Sequence, residues 1–153
     1  TEIAEGAFSG IYKVNAVASI KNLDLSALNI TKIGKYAFSG SGIEEITLPE
    51  GLEVLPEGVF SDCTKLAKVN GTESVTEISD YAFSGCTAIR TMSFPNVTKI
   101  GNYAFYRSGI RTLDAPETLV IGESAFRSSY LTEAKKRRKS AVWRSRQTTR
   151  SPK

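Results

Sequence analysis

Histidine is missing from this chain altogether, and among its 153 residues there are only two cysteines, one methionine and one tryptophan. Without histidine the common catalytic triads are excluded, together with the usual neutral-pH general base and most zinc sites. Two cysteines with no histidine beside them make no metal-ligand set. No stretch approaches eighteen consecutive apolar residues, so no helix is expected to span a membrane. The carboxylates are scattered over segments that read as outer loops, with no enclosed pair suited to acid–base work. The chain is therefore expected to be neither an enzyme nor a cofactor binder. It also lacks a starting methionine and a signal peptide. TEIAEGAF (1–8) has the form of TEISDYAF (76–83), so the chain opens in mid-repeat and reads as a mature or excised fragment whose targeting segment, if any, lies elsewhere.

The 41% hydrophobic content is enough to bury a core. The net charge of +4 averages two unlike segments. Residues 1–132 hold 11 Lys+Arg against 15 Asp+Glu, a net of −4, and residues 133–153 hold 9 against 1, a net of +8. The expected domains follow that division: a mildly acidic body over 1–132 and a basic tail over 133–153.

The body is built on a repeat. An Ile/Leu-x-x-x-Ala/Val-Phe signature returns at Phe8, Phe38, Phe60, Phe83, Phe105 and Phe126, in steps of 30, 22, 23, 22 and 21 residues. A period near twenty-two residues announces a solenoid, because one such unit cannot bury its own apolar face and must stack on its neighbours. The long first step contains an insert within 9–19, which an outer loop absorbs at small entropic cost. Each repeat carries a Leu-x-x-Ile-x-Leu piece with the period of two expected of a strand. Pro49, Pro95 and Pro116 close that strand, since proline donates nothing to a ladder. Gly34, Gly101 and Gly122 mark a tight bend. A second short strand or irregular run is expected there, followed by a helical or 3₁₀ turn around Ala-Phe. The six phenylalanines should lie one above another in a continuous stem.

The composite pattern Leu-x-x-Ile-x-Leu-Pro-x-x-Leu-x-x-Ile-Gly-x-x-Ala-Phe-x-x-Cys/Ser resembles the BspA-like, or Treponema-type, leucine-rich repeat. Residues 43–60, 89–105 and 110–126 carry the match most fully, and it covers about 1–132. It departs in the insert after Phe8, in Gly71-Thr72 where Leu-Pro is usual, and at Ala115. The fold expected is an α/β-type repeat solenoid: a short right-handed coil of about five to six turns, with one parallel β-sheet and mostly irregular or short helical turns on the convex side. The resemblance implies a cell-surface or secreted protein that binds proteins in adhesion. Its partners would be host or neighbouring-cell proteins, extracellular matrix or glycan.

Within each strand the residues flanking the central apolar one point outward and form two columns on the concave sheet. One column is Asn22, Glu45, Lys68, Thr91 and Thr112, and the other is Asp24, Thr47, Asn70, Ser93 and Asp114. They read either as a polar ligand-binding face or as an ordinary solvated sheet face, and neither column offers an aromatic or arginine anchor. Cys63 and Cys86 sit three residues after their phenylalanines in consecutive repeats, close enough for a disulfide. Parallel side chains in a ladder point the same way, however, and Ser41, Ser108 and Ser129 fill the same slot elsewhere, which favours buried free thiols. Tyr36, Tyr81 and Tyr103, each two before its phenylalanine, read as rings packed between coils or as an exposed stripe that grips sugar or a partner. Asn29-Ile30-Thr31, Asn70-Gly71-Thr72 and Asn96-Val97-Thr98 match the glycosylation pattern.

The tail begins where Ala134 replaces an apolar strand residue. Lys135-Lys136-Arg137-Arg138-Lys139 resembles a nuclear-localisation or nucleic-acid-binding cluster, and it also suits heparin or an anionic membrane surface. The stronger reading of it is plainer: a disordered extension, or sequence foreign to the domain. A rival function therefore stands beside protein binding: a nucleic-acid or nuclear factor that uses residues 135–150, with the repeats as scaffold. Neither end of the stack shows a polar cap, so end-to-end self-association is a further expectation.

Overall fold

The computed structural model describes residues 1–10, 20–117 and 119–136. Most of the expected insert and the tail beyond Lys136 lie outside the described residues. Twelve short strands follow one another. Each of the six repeats contributes a two-residue strand, then a turn arc around its phenylalanine, then a longer strand of three or four residues. The pairs are β1 (Glu2–Ile3) with β2 (Asn22–Asp24), β3 (Lys32–Ile33) with β4 (Glu45–Thr47), and β5 (Val54–Leu55) with β6 (Lys68–Asn70). They continue as β7 (Glu77–Ile78) with β8 (Thr91–Ser93), β9 (Lys99–Ile100) with β10 (Thr112–Ala115), and β11 (Val120–Ile121) with β12 (Glu133–Lys136). Every strand pairing is parallel and in register with the same position of the next repeat. The molecule is thus a parallel-sheet β-solenoid of stacked repeats. β12 prolongs the sheet four residues past the boundary expected at 132, with Ala134 opposite Leu113.

The core is a column of stacked rings. Successive phenylalanine centroids lie 5.1 to 5.6 Å apart from Phe8 to Phe126, with nearly parallel planes. Phe38, Phe60, Phe83 and Phe105 are fully buried. Around them Ile33, Leu55, Ile78 and Ile100 make one inner column and Ile46, Met92 and Leu113 another, because strand alternation turns every second side chain inward.

Two expectations need correction. The single sheet is in fact two ladders, each broken once. The long strands form β2-β4-β6 and β8-β10-β12, and the short strands form β1-β3 and β5-β7-β9-β11. The helical turns are absent too: among the described residues there is no helix. The reason is how the arc divides its N–H groups. In repeat 2, Tyr36, Phe38 and Gly40 donate to the carbonyls of Glu57, Val59 and Ser61 in repeat 3, while Ala37, Ser39 and Ser41 donate three residues back within their own arc. A helix would direct every N–H along its own axis. Here alternate residues face the next repeat, and left-handed backbone supplies the alternation. It recurs two before the phenylalanine (Gly6, Tyr36, Gly58, Tyr81, Tyr103, Ser124) and two after it (Gly40, Asp62, Gly85, Arg107, Ser128).

Gly34, Gly101 and Gly122 are needed for a reason other than a bend. A Cβ on any of them would meet the backbone of the preceding repeat, at Glu5, Asp80 and Asn102 respectively. Close stacking of repeats requires glycine there.

Candidate functional site

The register sets the expected columns straight within each half of the long-strand face. Asn22, Glu45 and Lys68 lie side by side, as do Asp24, Thr47 and Asn70. In the other half Thr91 lies beside Thr112 and Ser93 beside Asp114. All ten side chains are half-buried or exposed, while the residues between them turn inward.

The two halves do not join, because Gly71-Thr72 alters the exit of β6. In other repeats the residue after the strand (Leu25, Leu48, Phe94) donates its N–H to the next repeat. Gly71 instead adopts φ 73°, and a Cβ there would run into the Leu48 carbonyl. The Thr72 hydroxyl takes over and donates to the Ser93 carbonyl at 2.7 Å.

Much of the polar chemistry on this face is already committed. Glu45 accepts from Lys68 Nζ at 2.9 Å and from Asn70 Nδ2 at 2.8 Å, and these two donors hold its carboxyl below the usual range. Ser93 Oγ donates to Asp114 at 3.1 Å. Hydrogen bonds from Ser26 likewise hold Asp24 low, its backbone N–H at 2.9 Å from Oδ1. The columns thus make one interlocked patch around Glu45, Thr47, Lys68 and Asn70, and a smaller one at Ser93 and Asp114.

The cysteines are free and buried. Each thiol donates to a phenylalanine carbonyl of the preceding repeat, Cys63 to Phe38 at 2.9 Å and Cys86 to Phe60 at 3.0 Å. Burial pushes Cys63 up to about 11 and Cys86 well above the ordinary thiol value, so neither is a nucleophile at neutral pH. Ser108 fills the same slot in repeat 5, fully buried, and its hydroxyl has no partner among the described residues.

The tyrosines combine both readings made of them. Tyr81 and Tyr103 stack face to face at 5.3 Å, yet Tyr81 remains 39% exposed. Tyr36 lies over Gly58 and donates its hydroxyl to Glu57 at 2.8 Å; burial, with that hydrogen bond, raises its pKa to about 12. Sequence reasoning missed Tyr106 and Arg107. Tyr106 meets Tyr103 edge-on at 5.7 Å, and the Arg107 guanidinium lies 5.0 Å above the Tyr106 ring. The available signal was Tyr106 itself, standing directly after phenylalanine where four earlier repeats have serine.

A groove of about 440 Å³ opens where β3 and β5 fail to pair, lined by Ile33, Leu52, Val54 and Pro56 among others. Of the glycosylation patterns, Asn29 is exposed, Asn70 is tied to Glu45 beside a buried Thr72, and Asn96 donates to the Glu73 carbonyl. Among the described residues no group of three His, Cys, Asp or Glu could hold a metal ion. No helix there is long and apolar enough to cross a membrane. The basic cluster lies outside the described residues from Arg137 onward.

Comparison with known proteins places this geometry. The model of the BspA type leucine rich repeat region matches residues 1–133 in six copies. No curated protein matches the chain. Among solved structures, a leucine-rich repeat protein from Bacteroides ovatus ATCC 8483 is similar, at 22% identity and a TM-score of 0.46. The alignment covers 89% of this chain and 46% of that protein, so the chain spans less than half of its length.

Proposed function

The chain belongs to the BspA-type leucine-rich-repeat family, and from that premise we propose that it is a non-enzymatic protein-binding scaffold of a cell-surface or secreted protein, acting in adhesion to host or neighbouring cells. The observation that carries this reading is the straightness of the two outward columns, held in register by parallel pairing across three strands in one half and two in the other. A rigid sheet face presents its side chains with little ordering cost on binding, which is what a recognition surface requires. Extracellular-matrix proteins are the partner class that the adhesin reading names.

The test is binding of the full chain to immobilised laminin, fibronectin and collagen, wild type against Lys68→Glu/Asp114→Lys. Both side chains lie on the solvent side of their strands, so the variant should fold and show an unchanged far-ultraviolet spectrum. Binding to at least one of these proteins is expected, with a loss of about tenfold in the variant. Equal binding by the two forms removes the columns from the contact, and no binding to any of the three removes the matrix-adhesin reading. Binding that collapses as salt rises from 50 to 200 mM and vanishes on deleting 134–153 would point to the phosphate-binding rival instead.

A further inference from the structure

The long-strand columns contain neither tyrosine nor arginine, although those residues carry the energy at most protein interfaces. Both are concentrated elsewhere. All four arginines of the described residues lie at or after position 90. On the turn arcs of repeats 4 and 5, Tyr81, Tyr103, Tyr106 and Arg107 form one contiguous cluster through ring contacts of 5.0 to 5.7 Å. Arg127 stands at the position of Tyr106 one repeat on, and its carbonyl accepts the Arg107 N–H. Resting on the protein-binding reading above, we infer that this flank is the anchoring contact, and that it docks an acidic segment of a partner protein.

Three observations decide the partner's chemistry. One face of each ring is already taken: Tyr81 lies against Tyr103, and Arg107 lies over Tyr106. Fewer ring faces are left for a sugar to stack on, whereas a protein partner can also use the ring edges and hydroxyls. Next, the flank is rich in unused donors. The hydroxyls of Tyr81, Tyr103 and Tyr106 make no hydrogen bond among the described residues, and neither Arg107 nor Arg127 has a carboxylate within ion-pair range there. The nearby Asp80 side chain is occupied by the Asn102 N–H at 2.8 Å. Guanidinium forks and phenol hydroxyls left open in this way match carboxylates. Finally, Tyr81 and Tyr103 hold φ of 57° and 54°, in a place where Gly6 and Gly58 make the same turn without strain. A bulky residue kept in left-handed backbone marks a position where the side chain matters.

The probes are an acetylated twelve-residue peptide of Asp and Glu interspersed with Leu, and its Lys-for-acid counterpart. Both are titrated onto the full chain in 0.3 M NaCl, where the charges of the basic tail are strongly screened. The acidic peptide should bind and the basic one should not. Arg107→Gly/Arg127→Ser removes both guanidinium groups while keeping residue 107 compatible with its backbone, and should weaken binding about tenfold. Tyr103→Phe/Tyr106→Phe keeps the ring packing and removes only hydroxyls, and should weaken it by about threefold. Lys68→Glu/Asp114→Lys should bind the acidic peptide as wild type does. Failure of the wild type to bind the acidic peptide, or undiminished binding by the arginine variant, overturns the inference. The two proposals separate in the matrix-protein experiment. Loss confined to the column variant sinks the flank and keeps the columns, and loss confined to the arginine variant does the reverse.

Discussion

Between repeats 2 and 3 the short strands β3 and β5 share no hydrogen bond, yet a few residues further on Tyr36, Phe38 and Gly40 all donate across the same boundary. Between repeats 3 and 4 the long strands β6 and β8 are unpaired, and again the arc is intact, with Gly58, Phe60 and Asp62 donating to Asp80, Ala82 and Ser84. The phenylalanine N–H crosses to the next repeat at all five boundaries, beginning with Phe8 to Ala37 and ending with Phe105 to Ala125. Neither β ladder manages this. The comparison teaches that repeat stacking here is enforced by turn arcs on a ring stem, and that the strands supply a surface with latitude to break. The breaks fall on different boundaries, so each pair of repeats keeps at least one ladder besides its arc.

Truncating the stem should therefore cost far more than truncating the strand face. Phe83→Ala removes a fully buried ring stacked on Phe60 at 5.4 Å and on Phe105 at 5.1 Å, and should destabilise by about 4 kcal/mol. Val69→Ala, half-buried beside the break, should cost about 1 kcal/mol. Urea unfolding midpoints measure both. Equal costs would mean that the strand face carries the stack after all.

The thiol column belongs to the arc side and gives a pH signature. Burial raises Cys63 from 9.0 to about 11 in the folded chain. Its protonated form is thus favoured by folding, so the associated stability is complete below pH 9 and is lost as pH climbs to 11, by about 2–3 kcal/mol. Tyr36, raised from 10.0 to about 12, adds its own decline between pH 10 and 12, overlapping the upper part of the first. Cys86, raised by still deeper burial, adds to the same limb, so Cys63→Ser should shrink the loss between pH 9 and 11 and Cys63→Ser/Cys86→Ser should remove the thiol contribution altogether, leaving that of Tyr36. An unfolding free energy of the wild type that stays flat from pH 9 to 11 would contradict this account.

Serine in the thiol slot shows where an arc is imperfect. Ser108 is buried with its hydroxyl unmatched, whereas Ser129 donates to the Phe126 carbonyl at 2.7 Å. Ser108→Ala should stabilise by about 1 kcal/mol, because a buried hydroxyl without a partner carries its full desolvation cost. A destabilisation of that size would show that the hydroxyl is satisfied in solution.

The arcs and the ladders also differ in how far the sequence discloses them. The ring stem and both outward columns were legible, since a period of twenty-two fixes what lies over what, and a period of two fixes which side chains turn out. The arc conformation was hidden. Ala-Phe looks helical by local preference, and the left-handed positions that forbid a helix are filled in several repeats by Tyr36, Tyr81, Tyr103, Asp62 and Arg107, which do not advertise them. Only the glycines at 6, 58, 40 and 85 in those places betray the pattern, and they must be compared across repeats to be seen. The breaks were written more plainly. Gly71-Thr72 stood out as a departure, but its consequence, a split face, depended on a φ of 73° and a hydroxyl substituting for an N–H.

The break between β3 and β5 has an even simpler cause, and mending it should change stability least of all. Gly34, Ser79, Gly101 and Gly122 each donate an N–H to the short strand of the preceding repeat, and the equivalent residue in repeat 3 is Pro56, which has none. Pro56→Ser restores the donor opposite the Ile33 carbonyl, using the residue that repeat 4 already has at Ser79. The new bond should contribute about 1 kcal/mol. Losing the ring's restriction on the unfolded chain should take back a similar amount, about 0.4–1 kcal/mol. Stability should therefore hardly move while local structure does. The restored amide should show slow hydrogen exchange like that of Ser79, and the groove beside Val54 should narrow. Fast exchange at residue 56 would mean that the repeats are splayed by the Pro49–Leu52 connection itself, and that the missing donor follows the break instead of causing it.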